Sequence, residues 1–408
     1  MAHNGDLPPN PGRLRTWFHD ARFLLGFAWK HRSFLRFLVR AARRKREIQK
    51  VDLRAEDGLA RKPPGDVNLY LTHACNLACK MCPYYGEEGI FRDRRVEKGE
   101  DPHLGLDVYA RIAAELGNIP TFYYLSGGEP LLYRPGVGNL VRQLKKHPAT
   151  VALNTNGTLL AEQAGDLVEA GLDLLILSLD GPEEVHDLIR GSKGSFARAV
   201  EGLERVRAFR RESGRATPVL SVLFTVSRWN HDVLDRLPAL CTELGVDMAG
   251  INFLFFTDPK RGEDSRAIWR RAFGVDAEAW RGFLIDVEGI DTSVLSDQYA
   301  SVLAARKDFL FYTMPPGLRP DQIRSYYHDL DETFGRTQCW KAWFRTYIQP
   351  NGDMSTCEDF SEVVTGNVLS DPLLDIWNGA KYRRFRRVIR ERGHFPFCTR
   401  CTNGLYET

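Results

Sequence analysis

The sequence predicts an α/β protein built on a parallel sheet, and three observations carry that reading. From about residue 66 short apolar runs alternate with segments of helical period; polar, often glycine-bearing turns close the runs; and no stretch approaches the roughly 18 apolar residues of a membrane-spanning helix. At 408 residues the chain is long for one ordinary domain but fits a single large α/β barrel with appendages. Its 43% hydrophobic and 27% charged residues, without a low-complexity tract, exclude disordered and fibrous classes.

The first element is a basic arm, residues 1–65. The net charge of +3 hides an asymmetry, because residues 1–50 carry 12 Lys/Arg against three Asp/Glu, leaving the rest of the chain acidic. Residues 13–46 read as an amphipathic helix, with Leu14, Trp17, Phe18, Ala21, Leu24, Leu25 and Ala28, then Phe34, Phe37, Leu38 and Ala41, at helical spacing and arginines on much of the other face. Two uses stay open: a helix lying on an anionic membrane surface, or one docked on the protein's own body or on a partner subunit. A basic stretch also binds phosphate without sequence preference, so no specific nucleic acid is expected. The apolar run Phe23–Trp29 is short and flanked by charge, and no signal peptide is visible. The expected location is therefore the cytoplasm, with the inner membrane face as the arm's peripheral partner. There the eight cysteines read as ligands or thiols rather than disulfides.

Strands are expected at 67–71, 121–125, 150–153, 174–178, 219–226 and 248–255, with helices near 106–117, 136–146, 160–170, 196–213 and 232–244. This 66–257 unit is an open sheet or a full or partial barrel, with its chemistry at the carboxyl ends of the strands. Residues 258–338 are a less regular connector with one helix expected around 276–287. The last unit, 339–408, shows a hairpin signal at Asn351-Gly352, a helix from Pro372 to about Ile389 and a closing cysteine pair, giving a small α+β domain.

Directly after the first strand, Cys75, Cys79 and Cys82 stand in Cys-x3-Cys-x2-Cys spacing within THACNLACKMCPY. Three thiolates on one short loop can hold three irons of a four-iron four-sulfur (4Fe-4S) cluster and leave the fourth open to chelate an amino and a carboxylate group; zinc or unrelated cysteines are the alternatives. This spacing resembles the signature of the radical S-adenosylmethionine (radical SAM) superfamily. The resemblance implies that S-adenosylmethionine binds the open iron and that an electron from the cluster, supplied by a donor such as flavodoxin or ferredoxin, releases a 5'-deoxyadenosyl radical. It also implies a partial (β/α)6 TIM-type barrel over residues 66–257.

Three further motifs are similar to the family's. Gly127-Gly128-Glu129-Pro130 follows the second strand, where glycines permit close approach and the carboxylate can accept hydrogen bonds from an ammonium group. Asn156, Ser178 and Arg190 fall at or after the third and fourth strand ends, and the resemblance makes them cofactor contacts; each is otherwise a turn or cap residue. Met81 stands where the family more often has an aromatic that packs on adenine.

Cys339, Cys357, Cys398 and Cys401 form a second set that can close a metal site completely. With Gly352 five residues before Cys357, it resembles the SPASM and twitch extensions. The chain ends seven residues after Cys401 without the further cysteines of the full pattern, so one auxiliary 4Fe-4S cluster is expected, with structural zinc as the alternative. Cys241, on a helical pattern, reads as a small apolar residue. No catalytic side chain is singled out.

The expected function is a radical enzyme acting on a non-peptide natural product, sugar or lipid-linked molecule, by oxidation or epimerisation. Modification of a ribosomal peptide is the alternative within the class. A non-catalytic metal-binding module docking on nucleic acid or membrane is the alternative outside it, but it would have no need for an open three-cysteine loop.

Overall fold

The computed structural model describes residues 32–86, 89–90, 102–402 and 405–406. Helix α1 (Arg32–Lys50) leads into strand β1 (Asp66–Tyr70), after which come α2 (Leu106–Leu116), β2 (Thr121–Ser126), α3 (Val137–Leu144), β3 (Ala149–Thr155), α4 (Leu160–Ala170), β4 (Leu174–Ser178), α5 (Glu183–Arg190), α6 (Ser195–Glu212), β5 (Val219–Thr225), α7 (Leu237–Leu244) and β6 (Met248–Asn252). All six expected strands are present, parallel and in chain order across the sheet.

Alternation along each strand explains the two faces. Val67 and Leu69 of β1, Leu125 of β2, Leu153 of β3 and Leu177 of β4 are fully buried in one core with Ile112, Leu140 and Leu167 of the helices. Burying each such side chain contributes roughly 1.5–3 kcal/mol. The opposite, inner face carries a smaller apolar cluster of Phe122, Ala152, Leu174, Ile176 and Val219, and beyond it polar Asn68, Ser126 and Ser178. That inner face is where a parallel barrel keeps its polar chemistry.

The parallel run extends past the expected six. Strand β7 (Leu310–Met314), from the connector, pairs parallel with β6. Strand β9 (Arg345–Ile348), from the C-terminal unit, pairs parallel with β1, so that Leu69 lies opposite Ile348. Antiparallel β10 (Asp353–Ser355) and β11 (Val364–Asn367) then continue the sheet outward. The hairpin turn falls at Asn351-Gly352, as its residue types predict, with Gly352 at φ 87. The sheet ends on β11 and β7 and does not close. Strand β8 (Gln338–Cys339) pairs separately with β12 (Leu405–Tyr406).

The connector differs from expectation. Its α-helices are α8 (Pro259–Phe273), α9 (Thr292–Ala304) and the short α10 (Ile323–His328), whereas 276–287 holds only a 3-10 turn, Ala279–Phe283. That turn sets residues three apart one above the other, and it buries Trp280 and Phe283 together. Gly262 of α8 lets the Trp280 ring lie against its backbone: a Cβ there would stand 2.0 Å from the ring. The expected helix from Pro372 is likewise two helices, α11 (Leu373–Trp377) and α12 (Ala380–Arg392). Asn378 interrupts them, because its amide bridges Ala60 N and O at 3.0 Å each and accepts from Arg386 at 2.9 Å.

Of the expected helix 13–46, residues 13–31 lie outside the described residues. The described part docks on the protein's own body: Ile48 is fully buried, Ala41 packs beside it, and Arg44 pairs with buried Asp52 at 3.6 Å. Among the described residues no helix is long and apolar enough to cross a membrane.

Candidate functional site

Because β1 to β6 are parallel, their carboxyl ends share one edge, and the loop after β1 lies on it. Thr72 and Ala74 open that loop and are held by the segment after β2: Gly128 N donates to Thr72 O and Glu129 N to Ala74 O, each at 2.8 Å. A Cβ on Gly128 would stand 2.2 Å from Ala74 O, and Gly127 adopts φ 143 with Thr72 O at 2.7 Å from its missing Cβ. The two glycines therefore admit the backbone of the cysteine loop.

The rest of the loop is tied as firmly. Cys82 N donates to Cys79 O at 3.0 Å, and Lys80 N to Ile189 O of α5 at 2.8 Å. Asn76, between the first two cysteines, accepts from Asn156 Nδ2 at 2.9 Å and donates to Thr158 at 2.8 Å, joining the loop to the end of β3. Cys79 is buried and Cys75 and Cys82 partly exposed. Burial first, and then the neighbouring Cys79 sulfur, pushes the Cys82 thiol up to about 11; burial also raises Cys75 and Cys79. Thiols held this way ionise only against a strong positive charge, which a bound metal provides. Among the described residues no three ligand side chains close on a point tight enough for one ion.

Glu129 is buried with its carboxylate engaged by Leu131 N at 3.0 Å, Thr155 Oγ1 at 2.6 Å and Asn156 N at 2.8 Å. It caps the 3-10 turn that Pro130 begins and fastens the β2 end to the β3 end. Arg190, at the last turn of α5, is buried against fully buried Asp180 at 2.6 Å and reaches Cys79 Sγ at 3.7 Å. His186 Nδ1 accepts from Asp180 N at 3.2 Å, and burial followed by the Arg190 charge drives its pKa down to about 3. Of the other expected contacts, Met81 is buried and Ser178 donates to Asn154 at 3.3 Å. The loop thus gathers Gly127, Gly128, Glu129, Asn156 and Arg190 around it, while Ser178 bonds within the strand ends. Asp180 and Asn76 were not expected as members, although Asp180 stands two residues after Ser178 at the end of β4.

The second thiol set is built by distant segments. Cys339 ends β8, Cys357 follows β10, and Cys398 with Cys401 closes the 3-10 turn Pro396–Arg400, where Cys401 N donates to Cys398 O at 3.0 Å. All four line one cavity of about 40 Å³, with Phe255, Phe360 and Phe397 among its apolar walls. Fully buried Arg400 anchors the closing turn through Glu332 O at 2.8 Å. Burial raises the Cys339, Cys357 and Cys398 thiols. Lys341 lines the same cavity, and burial, then Arg345, lowers its pKa to about 8.

Polar residues that sequence reasoning missed join the two sets. Tyr84 donates to Asp359 at 3.3 Å. Glu358 accepts from Asn68 at 2.9 Å, and Asn68 accepts from Ser126 at 2.7 Å, a hydrogen-bonded chain on the inner face. Arg345 of β9 pairs with Asp66 of β1 through Nε at 2.6 Å and Nη2 at 2.5 Å. Burial, then Glu358, lifts Asp359 to about 7. An open groove of about 490 Å³ lies past the carboxyl end of β9, bounded by His73, Arg281, Gln349 and Asn351.

A cysteine loop on the carboxyl edge of an open parallel barrel, with a second closed thiol set fused to the same sheet, defines a barrel enzyme of iron-sulfur type. The chain belongs to the radical SAM superfamily and carries a SPASM-type auxiliary domain. The Radical SAM superfamily profile matches residues 69–234 and the SPASM iron-sulfur cluster-binding domain profile residues 339–402. The chain is 35% identical over 334 residues to the mycofactocin maturase MftC of Mycobacterium ulcerans, covering 80% of this chain and 78% of that one. It is 31% identical over 188 residues to a probable GTP 3',8-cyclase of Metallosphaera sedula, covering 46% of this chain and only 54% of that protein. The fold is similar to the crystal structure of Streptococcus suis SuiB bound to its precursor peptide SuiA, with TM-score 0.53 at 15% identity over 84% of this chain and 69% of that one. The family implies one 4Fe-4S cluster, S-adenosylmethionine and an auxiliary cluster as cofactors, and the two separate thiol sets fit that demand.

Proposed function

We propose that this enzyme oxidises or epimerises a non-peptide small molecule, a sugar or lipid-linked compound, held on the inner face of the barrel between the two thiol sets. When bound, the first cluster and S-adenosylmethionine supply a 5'-deoxyadenosyl radical that removes a hydrogen atom. In this reading Cys75, Cys79 and Cys82 hold that cluster, and Met81, Gly127, Gly128, Glu129, Pro130, Asn156, Ser178 and Arg190 shape the cofactor's seat. Cys339, Cys357, Cys398 and Cys401 hold the auxiliary one. The observation that carries it is the Tyr84–Asp359 hydrogen bond, which ties the loop of the first thiol set to the loop of the second. The Asn68–Glu358 pair offers a hydroxyl- or amine-bearing substrate its partners.

The test is anaerobic reconstitution with iron and sulfide, then reduction in the presence of S-adenosylmethionine. Release of 5'-deoxyadenosine is expected, carrying deuterium when a deuterated sugar is the substrate. A fully loaded protein that releases none is a binding module. A second reading, modification of a ribosomal peptide, is favoured by the open groove, large enough for an extended chain. Deuterium transfer from a labelled peptide and not from a sugar decides for it.

For the arm, we propose contact with an anionic membrane through the solvent face of α1. Arg36, Arg40, Arg43, Arg46 and Lys50 recur at helical spacing and are exposed beside Val39, on the side away from buried Ile48. Replacing Arg36, Arg40 and Arg43 by Ser should abolish sedimentation with anionic liposomes while leaving 5'-deoxyadenosine release intact. A flavodoxin- or ferredoxin-like donor would supply the electron.

A further inference from the structure

We propose that Lys341 is the counter-cation of the auxiliary cluster and raises its reduction potential. The proposal rests on the four-thiol cavity holding iron and sulfide, as read above, and concerns what else lines that cavity.

Lys341 sits in a 3-10 turn, Lys341–Trp343, and is only 9% exposed. It lines the same cavity as the four thiols. A buried ammonium normally has a carboxylate or carbonyl at bonding distance, since desolvation would otherwise remove its charge. Lys341 has neither: its ammonium makes no ion pair and no hydrogen bond to any described residue. The carboxylates around it are engaged elsewhere, Asp66 by Arg345 at 2.6 Å, Glu358 by Asn68 at 2.9 Å and Asp359 by Tyr84 at 3.3 Å. They bear on Lys341 at longer range, and so does Cys401.

The remaining walls are largely apolar, with Phe255, Phe360, Phe385 and Phe397 among them. Such walls leave charge interactions poorly screened. What a lone cation in this setting lacks is an anion of its own, and four thiolates around a 4Fe-4S core carry a net negative charge that grows by one on reduction. A fixed positive charge favours the more negative state, and local charge together with burial is what sets such potentials. Lys341 therefore makes the auxiliary cluster an easier acceptor for a single electron than its apolar walls alone would.

The experiment uses the full chain with Cys75, Cys79 and Cys82 replaced by Ala, so that the auxiliary cluster is the sole paramagnet, reconstituted anaerobically and titrated under EPR detection. Lys341→Met is expected to keep four irons and to shift the midpoint to a more negative value, with Lys341→Arg staying near the parent. A parent-like midpoint in loaded Lys341→Met overturns the proposal. If Lys341→Met fails to load, loading rescued by Arg supports the counter-cation role, and loss in both variants overturns it in favour of a packing role. Zinc without iron in the parent defeats the cluster reading itself, a separate outcome read by metal analysis.

Discussion

The Tyr84 hydroxyl donates to Asp359 at 3.3 Å, joining a residue two positions beyond Cys82 to one two positions beyond Cys357. A hydrogen bond made at that point fixes the spacing of two ligand loops that the chain keeps far apart in sequence. Tyr84→Phe removes the donor and leaves a buried carboxylate oxygen without it, which costs about 1–3 kcal/mol. Denaturant unfolding should show that loss, while iron and sulfide content stays at the parental level because no ligand is touched.

Gly128→Ala is expected to cost the first cluster alone. Its Cβ would meet Ala74 O at 2.2 Å, backbone against backbone, so the cysteine loop must shift. Iron content should fall by about four per chain, and the signal that remains should be that of the second thiol set.

The Arg190–Asp180 pair can be tested by a double-mutant cycle. Arg190→Met leaves Asp180, which is fully buried, without its cation and should destabilise the protein by about 3–5 kcal/mol. Adding Asp180→Asn removes the orphaned charge and should restore part of that loss. Equal damage in the single and double variants would show that the pair is not a unit.

His186 gives a pH dependence. Burial, then the Arg190 charge, takes its pKa down from 6.5 to about 3, so the folded protein favours the neutral ring. A lowered folded pKa means its contribution is present above pH 6.5 and is lost as pH falls from there toward 3. His186→Gln should therefore flatten the acid side of the stability curve in that window, by up to several kcal/mol, as followed by unfolding at fixed pH steps. An unchanged slope would assign the acid sensitivity elsewhere.

Much of this was legible in the sequence for local reasons. Each of β1 to β6 is an apolar run closed by a turn, and the cysteine spacing needs no tertiary knowledge to read. Residues whose role depends on a distant partner were not legible. The sequence could not show that the Glu129 oxygens fasten Thr155 and Asn156. Nothing in the sequence around Lys341 marks it as a buried lysine, since its burial comes from the folding of distant segments over it. The 276–287 segment has helix-forming composition, but the packing of Trp280 over Gly262 and of Phe283 against Phe255 and Phe397 overrides propensity.

The parallel pairing of β9 with β1 has a bearing on synthesis as well as on architecture. Asp66 must wait for Arg345, 279 residues later, before its edge acquires a neighbour. During translation the first strand therefore stands with one flank bare until nearly the whole polypeptide has emerged, a template for association with other nascent chains. Pieces that stop before residue 345 should be recovered chiefly as aggregates, and slow maturation with late metal loading follows from the same delay.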